Sequence, residues 1–303
     1  SDILTTANLP ATLGADAPYE NMGTIQTKGW ELAIDYRHTF KNGLHFGVTA
    51  SVADDKTEVT KWTYNTKIPS YGATGWWDKE GMVLGDIWGL QFDRFLTEDD
   101  FNADGSLKAG LPDQTKVFPA GYQFAPGDVL YKDLDNNGEI VKQTNTNDKG
   151  DLSVIGNALP RLQFGLNLDA AWKGFDISMF FQGVAKRKLW AAGNQVLPGF
   201  TTGEPFYKGA EDYWTPENTD AFYPRPMDYK QSASGNYSVN DRYLLNMAYL
   251  RLKTFTVGYS LPKVWLSKFK VQGLRVYFTG ENLFTIDGVK PAIDPEIGIR
   301  TAS

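Results

Sequence analysis

Apolar and polar residues alternate with period two through several stretches of the chain, and apolar residues at helical spacing are scarce. A strand sends successive side chains to opposite faces, so alternation of this kind predicts strands with one apolar face. In Thr27 to Arg37 the residues Trp30, Leu32, Ile34 and Tyr36 fall on one face, and Leu44 to Val52 aligns Leu44, Phe46 and Val48. Between them Lys41-Asn42-Gly43 has the chemistry of a tight hairpin turn. A second pair runs from Leu162 to Trp172, with Phe164, Leu166, Leu168 and Ala170 together, and from Phe175 to Gly183, with Phe175, Ile177, Met179 and Phe181 together. Lys173-Gly174 makes that reversal. A third pair, Tyr249 to Ser260 and Leu274 to Leu283, is joined through Leu261-Pro262 to Gly273, and Pro262 stops the first strand because it has no N–H to give a ladder.

The strand pairs therefore lie near 27–52, 162–183 and 249–283, and the segments between them, 53–80, 93–158 and 186–246, have loop composition. Short turns alternate with long loops. Outer-membrane barrels sort their connections in this way, with short periplasmic turns and long external loops. If both lysine-bearing turns lie on one side, an even number of barrel strands separates Val52 from Leu162. Gly81 to Phe92 then belongs to an external loop or is half of another hairpin. The prediction is an all-β fold, the antiparallel strands and long external loops of a large transmembrane β-barrel, which needs about 22 strands when complete. About six are visible, so 1–303 reads as one C-terminal part of that barrel, with the plug domain and a final strand expected elsewhere.

Composition fits this and removes other classes. No run of about 18 apolar residues exists, which excludes a helical membrane protein, whereas barrel strands keep mean hydropathy low by alternating, and the value here is -0.37. The chain has no cysteine, so disulfides and thiol chemistry are absent and any metal is bound through oxygen. A sequence pI near 5.1 and the lack of a basic run argue against nucleic acid as a partner. No nucleophile elbow, phosphate-binding loop or dinucleotide fingerprint precedes a helix, acidic pairs such as Asp99-Asp100 are adjacent rather than set apart, and His38 and His45 flank a turn. The chain is expected to be no enzyme.

Four ordered stretches carry a family resemblance. Asn21-Met22-Gly23-Thr24-Ile25 through Lys28-Gly29-Trp30-Glu31-Leu32 is similar to N-x-G-x-I-x-N-x-G-x-E-L, with Thr27 where Asn is usual. Pro126-Gly127-Asp128-Val129-Leu130-Tyr131 through Gly138-Glu139-Ile140, then Ile155-Gly156 and Pro160, is similar to P-G-D-x-x-Y-x-D-x-N-x-D-G-x-I and I-G-x-x-x-P. Here Asp135 replaces Asn and Asn137 replaces Asp. Tyr249-Leu250-Arg251-Leu252-Lys253 with Gly258-Tyr259-Ser260-Leu261-Pro262 follows, and last come Leu274-Arg275-Val276-Tyr277, Gly280-Glu281-Asn282-Leu283-Phe284 and Asp294-Pro295-Glu296. Together they resemble the C-terminal third of SusC/RagA-like TonB-linked outer-membrane proteins. The resemblance implies the outer membrane of a Gram-negative cell and active import of large nutrients, oligosaccharide or peptide. It also implies a SusD-like lipoprotein partner, and TonB reached through the N-terminal plug region. The alternative is a secreted or surface all-β carbohydrate-binding protein.

Three sets of residues are candidate sites. Asp133, Asp135, Asn137 and Glu139 occupy alternate positions around Gly138, the spacing that points oxygens at a hard cation such as calcium, although Thr144 stands where an EF-hand loop has its bidentate acid. An Asx-turn loop satisfied by its own backbone N–H groups gives the same spacing. Trp62, Trp76, Trp77, Trp190 and Trp214 offer flat rings for substrate or lid contact, with Trp76 and Trp77 expected near the mouth. Arg251 and Lys253 share a face and Arg275 lies on the facing strand. Since a cation facing lipid costs about 2–4 kcal/mol at the midplane, these three are expected in the lumen, paired with plug carboxylates or substrate.

Overall fold

The computed structural model describes residues 2–6, 19–62, 80–142, 149–200, 206–227, 235–289 and 293–297. Thirteen strands follow in order: β1 (Asp2–Thr6), β2 (Tyr19–Thr39), β3 (His45–Trp62), β4 (Asp86–Gly89), β5 (Phe92–Phe95), β6 (Val129–Tyr131), β7 (Ser153–Asn157), β8 (Arg161–Trp172), β9 (Phe175–Lys186), β10 (Lys188–Leu189), β11 (Leu245–Asn246), β12 (Tyr249–Ser260) and β13 (Arg275–Asp287). Among the described residues one short α-helix, α1 (Lys263–Leu266), lies between β12 and β13.

Seven strands form one antiparallel sheet in the order β1-β2-β3-β8-β9-β12-β13. Its hairpin turns have the predicted chemistry. Gly43 is left-handed at φ 82, and Lys173 and Gly174 are both left-handed at φ 49 and 90, the conformation that matches a two-residue turn to the twist of its strands. Leu44 falls in the turn rather than the strand. β12 ends at Ser260 and Pro262 caps α1, as the missing proline N–H requires. β3 pairs directly with β8, so the even number of intervening barrel strands is zero, and the strand-like segment near Gly81 to Phe92 lies within a loop. The strands are also longer than alternation indicated, β2 reaching 21 residues and β3 18.

Register aligns the alternation across the sheet. One cross-strand row runs Tyr36, Val48, Leu168, Met179, Phe255. The row two residues on runs Ile34, Ala50, Leu166, Phe181, Leu252, Phe284. On the other face the row Gly47, Asp169, Ser178, Thr256, Thr279 is small or polar. Apart from Leu252, which is buried between Phe181 and Phe284, the apolar face is largely open among the described residues: Trp30 is 53% exposed, Ile34 57% and Phe278 61%. β8 and β9, at 12 residues each, are about the length a tilted strand needs to cross a bilayer.

The buried core lies elsewhere, in the two long connections β3–β8 and β9–β12. These fold into a cap with short ladders of their own, β4 with β7, β5 with β6 and β10 with β11. One cluster joins Leu90, Val117, Val129, Tyr131, Leu152 and Trp214, a second joins Leu197, Tyr223, Tyr237, Tyr243 and Met247, and a third joins Ile87, Val239 and Leu244. The first and third clusters draw residues from both connections, so the two loops form one packed body at the end of the sheet opposite the turns.

Candidate functional site

The cap is held by a buried carboxylate. Asp128, fully buried, accepts hydrogen bonds from Arg225 Nε (2.8 Å) and Nη2 (3.1 Å), Asn236 Nδ2 (2.9 Å), the Tyr122 hydroxyl (2.9 Å) and the Ala125 amide (2.9 Å). A charge removed from water this completely needs such a shell of donors. Burial, with the negative charge of Asp128 beside it, pushes the Tyr122 phenol well above its usual range. Gly127 is left-handed at φ 90, and a Cβ there would meet the Trp214 ring at 2.5 Å, so the indole packs flat against the glycine backbone. The Tyr131 hydroxyl donates to the Gly235 carbonyl at 2.8 Å. Pro-Gly-Asp-x-x-Tyr is thus a joint that ties the first long loop to the second. Nearby, Arg94 holds Asp100 through two bonds of 2.6 and 2.7 Å and lowers that carboxyl to about 2, against the opposing effect of burial.

The cation candidates on the sheet meet partners within the chain. Arg251, only 8% exposed, donates to Asp294 (2.7 Å), Glu296 (2.9 Å) and the Thr285 hydroxyl (2.7 Å), and Lys253 reaches Glu296 at 2.7 Å. Arg187 adds bonds to the carbonyls of Pro295 (3.1 Å) and Ile297 (2.9 Å). Asp-Pro-Glu is therefore clamped by three cations, and Arg251 and Lys253 already meet acids of this chain. Arg275 bonds Asp176 of β9 at 3.0 and 2.5 Å, reaching across β12 over Gly258, where a Cβ would collide with the guanidinium at 2.6 Å.

The expected cation loop divides. Carboxylate oxygens of Asp133, Asp135 and Asp151 lie within 4.8 Å of one another. Asn137 turns its oxygen to the Glu139 amide (2.7 Å), and Glu139 pairs with Lys116 at 2.5 Å. Asp133 already accepts from the Gly138 (2.8 Å) and Asn137 (3.3 Å) amides, and Asp151 from those of Leu134 (2.7 Å) and Val141 (2.8 Å). Backbone donors thus satisfy much of this loop, and the oxygens that converge include Asp151, beyond the motif.

Of the ring candidates, Trp76 and Trp77 lie outside the described residues. Trp62 packs over Gly23 at the cap end of β3. Trp190 is half-buried against the second and third clusters. Trp214 is 7% exposed within the first, a core side chain rather than a face open to substrate or lid. An aromatic surface does exist nearby: a cavity of about 460 Å³ lined by Phe206, Tyr207, Tyr213, Tyr223 and Pro224, with Lys208 and Glu211 among its walls. Its signal in the sequence is the density of rings and prolines between Pro198 and Tyr237.

No family model matches the chain. It is 27% identical over 312 residues to TonB-dependent receptor P3 of Formosa agariphila, covering 99% of this chain and 28% of that receptor. With TonB-dependent receptor SusC of Bacteroides thetaiotaomicron it shares 22% identity over 98% of this chain and 26% of SusC. A solved structure of the RagAB peptide transporter matches with a TM-score of 0.68 at 19% identity, covering 98% of this chain and 29% of that one. The chain is thus SusC-like in sequence and RagA-like in fold along nearly its whole length. It is similar to part of the barrel of these TonB-dependent receptors, and it spans under a third of the length of the relatives it matches.

Proposed function

We propose that this chain is the wall and external cap of an outer-membrane importer that takes up oligosaccharide or peptide. Import is energised by TonB through the plug region and assisted by a SusD-like lipoprotein, and the chain itself catalyses nothing. The observation that carries the reading is the inverted sheet: apolar rows in register across six strands, largely uncovered, with polar rows behind them. In water such a face costs about 25 cal/mol for each Å² left unburied, and in lipid it costs nothing. The same face counts against a soluble carbohydrate-binding protein. The ring-lined cavity supports a nutrient with apolar or ring faces, contacted by Tyr207 and Tyr213. Calcium at Asp133, Asp135 and Asp151 would stiffen the adjoining loop. The reading is tested by uptake of labelled oligosaccharides and peptides in cells bearing the full-length receptor. Uptake that disappears when either the receptor or TonB is deleted supports it; a receptor that fractionates as a soluble protein overturns it.

A further inference from the structure

The three turn-end connections, 40–44, 172–175 and 261–274, carry Lys41, Lys173, Lys263, Lys268 and Lys270 and no aspartate or glutamate, in a chain whose net charge is -6. All five lysines are exposed. The connections touch and make one rim. Trp172 Nε1 donates to the Asn42 carbonyl at 3.3 Å, which joins the first to the second, and the Ser260 amide donates to the Gly174 carbonyl at 2.8 Å, which joins the second to the third. Phe175 and Tyr259 pack ring to ring at 4.5 Å across the same junction. Asp176, the nearest acid beyond the second turn, is already paired with Arg275.

Rings line this rim where the apolar face ends. Phe40, Trp172, Phe175 and Trp265 are all well exposed, and Lys173 Nζ sits 4.4 Å from the centre of the Trp172 ring. Amphipathic rings settle at the level of lipid headgroups, and lysines with long stems extend past them into the charged layer. Exposed rings with lysines just beyond and no acid between them complement an anionic headgroup surface.

We infer that this rim binds the phosphates of anionic phospholipids in the bilayer leaflet at the turn end. The inference rests on the membrane-wall reading above and adds a lipid preference to it. The test uses the full-length receptor in vesicles of phosphatidylethanolamine and phosphatidylglycerol in equal amounts, followed by native mass spectrometry of the lipids it retains. The wild type is expected to keep phosphatidylglycerol over phosphatidylethanolamine by about tenfold, since lysines close to an anionic surface are attracted to it. A variant with all five lysines changed to serine loses the preference, and the all-arginine variant keeps it. If the five-serine variant fails to insert, single Lys→Ser changes are expected to lower the ratio stepwise. An unchanged ratio in the serine variants, or a preference abolished by inorganic phosphate alone, overturns the inference. A wild-type receptor that inserts into no vesicle and shows no heat-modifiable mobility overturns the membrane-wall reading instead.

Discussion

The sheet and the cap are built from the same residue types with opposite polarity of burial. In the sheet, Trp30, Leu32 and Ile34 point outward and remain exposed, while polar rows line the inner face. In the cap, Leu90, Leu152, Leu197 and Met247 are fully buried and charges enter the interior only when matched, as Asp128 is by Arg225. The difference is what two solvents acting on one chain would produce, as the proposed membrane wall requires. The cap follows the rule of a water-soluble domain, and the sheet satisfies its backbone through ladders and leaves its side chains to lipid. A connection that holds its own core can stand above the membrane as a fixed wall for a cavity, which a loose loop of that length cannot.

Changes that treat the regions alike should have unlike effects. The largest belongs to the cap joint: Asp128→Ala removes the buried acceptor shared by Arg225, Asn236 and Tyr122 and is expected to cost about 3–5 kcal/mol, seen as faster hydrogen exchange across 115–131, 221–227 and 235–243. Heat-modifiable mobility of the barrel should not change, and loss of the barrel together with the cap would show that the regions are not independent. Next is the sheet, where Ile34→Arg is expected to cost about 2–4 kcal/mol in lipid vesicles and Ala33→Arg, on the polar face, much less. Equal costs at these neighbouring positions would erase the distinction. Third, Glu296→Gln weakens the clamp on Asp-Pro-Glu and should raise proteolysis near 290–297 with little effect on overall melting.

Acid gives a smaller effect in the cap. The Asp100 carboxyl is lowered to about 2 in the folded state by Arg94, so its stabilising contribution is complete above its unfolded value near 4. It is lost as pH falls from there through about 2. Tryptophan fluorescence followed across that window should report loosening of the cap. The smallest expected change is a modest fall in cap melting temperature on adding EDTA; no change would remove calcium from the proposal.

Much of the sheet could be read from sequence, because a period of two states directly which residues share a face, and registers such as Ile34 with Ala50 and Leu166 with Phe181 only add the pairing. The cap was less legible. Its joints connect residues far apart in the chain, Asp128 and Arg225 being 97 positions distant, and no local pattern announces such a meeting. Trp214 has the same composition signal whether it stacks on a ligand or on Gly127, and only the glycine's left-handed backbone decides between them. Arg251 and Lys253 were expected to face the lumen and pair with a plug or substrate, and the sequence pattern gave no sign that Asp294 and Glu296 answer them from the chain itself.

The absence of cysteine makes the central claim open to direct measurement. Single cysteines at Leu32, Ile34 and Phe278, and at the neighbouring Ala33, Thr49 and Thr279, can each carry a nitroxide label in the full-length receptor reconstituted in lipid. Spin relaxation by oxygen, which concentrates in the bilayer, is expected to be strong at the first three, and relaxation by a water-soluble nickel chelate strong at the second three. Chelate access that is equal on both faces, or greater at Leu32, Ile34 and Phe278, would contradict a wall that turns its apolar face to lipid.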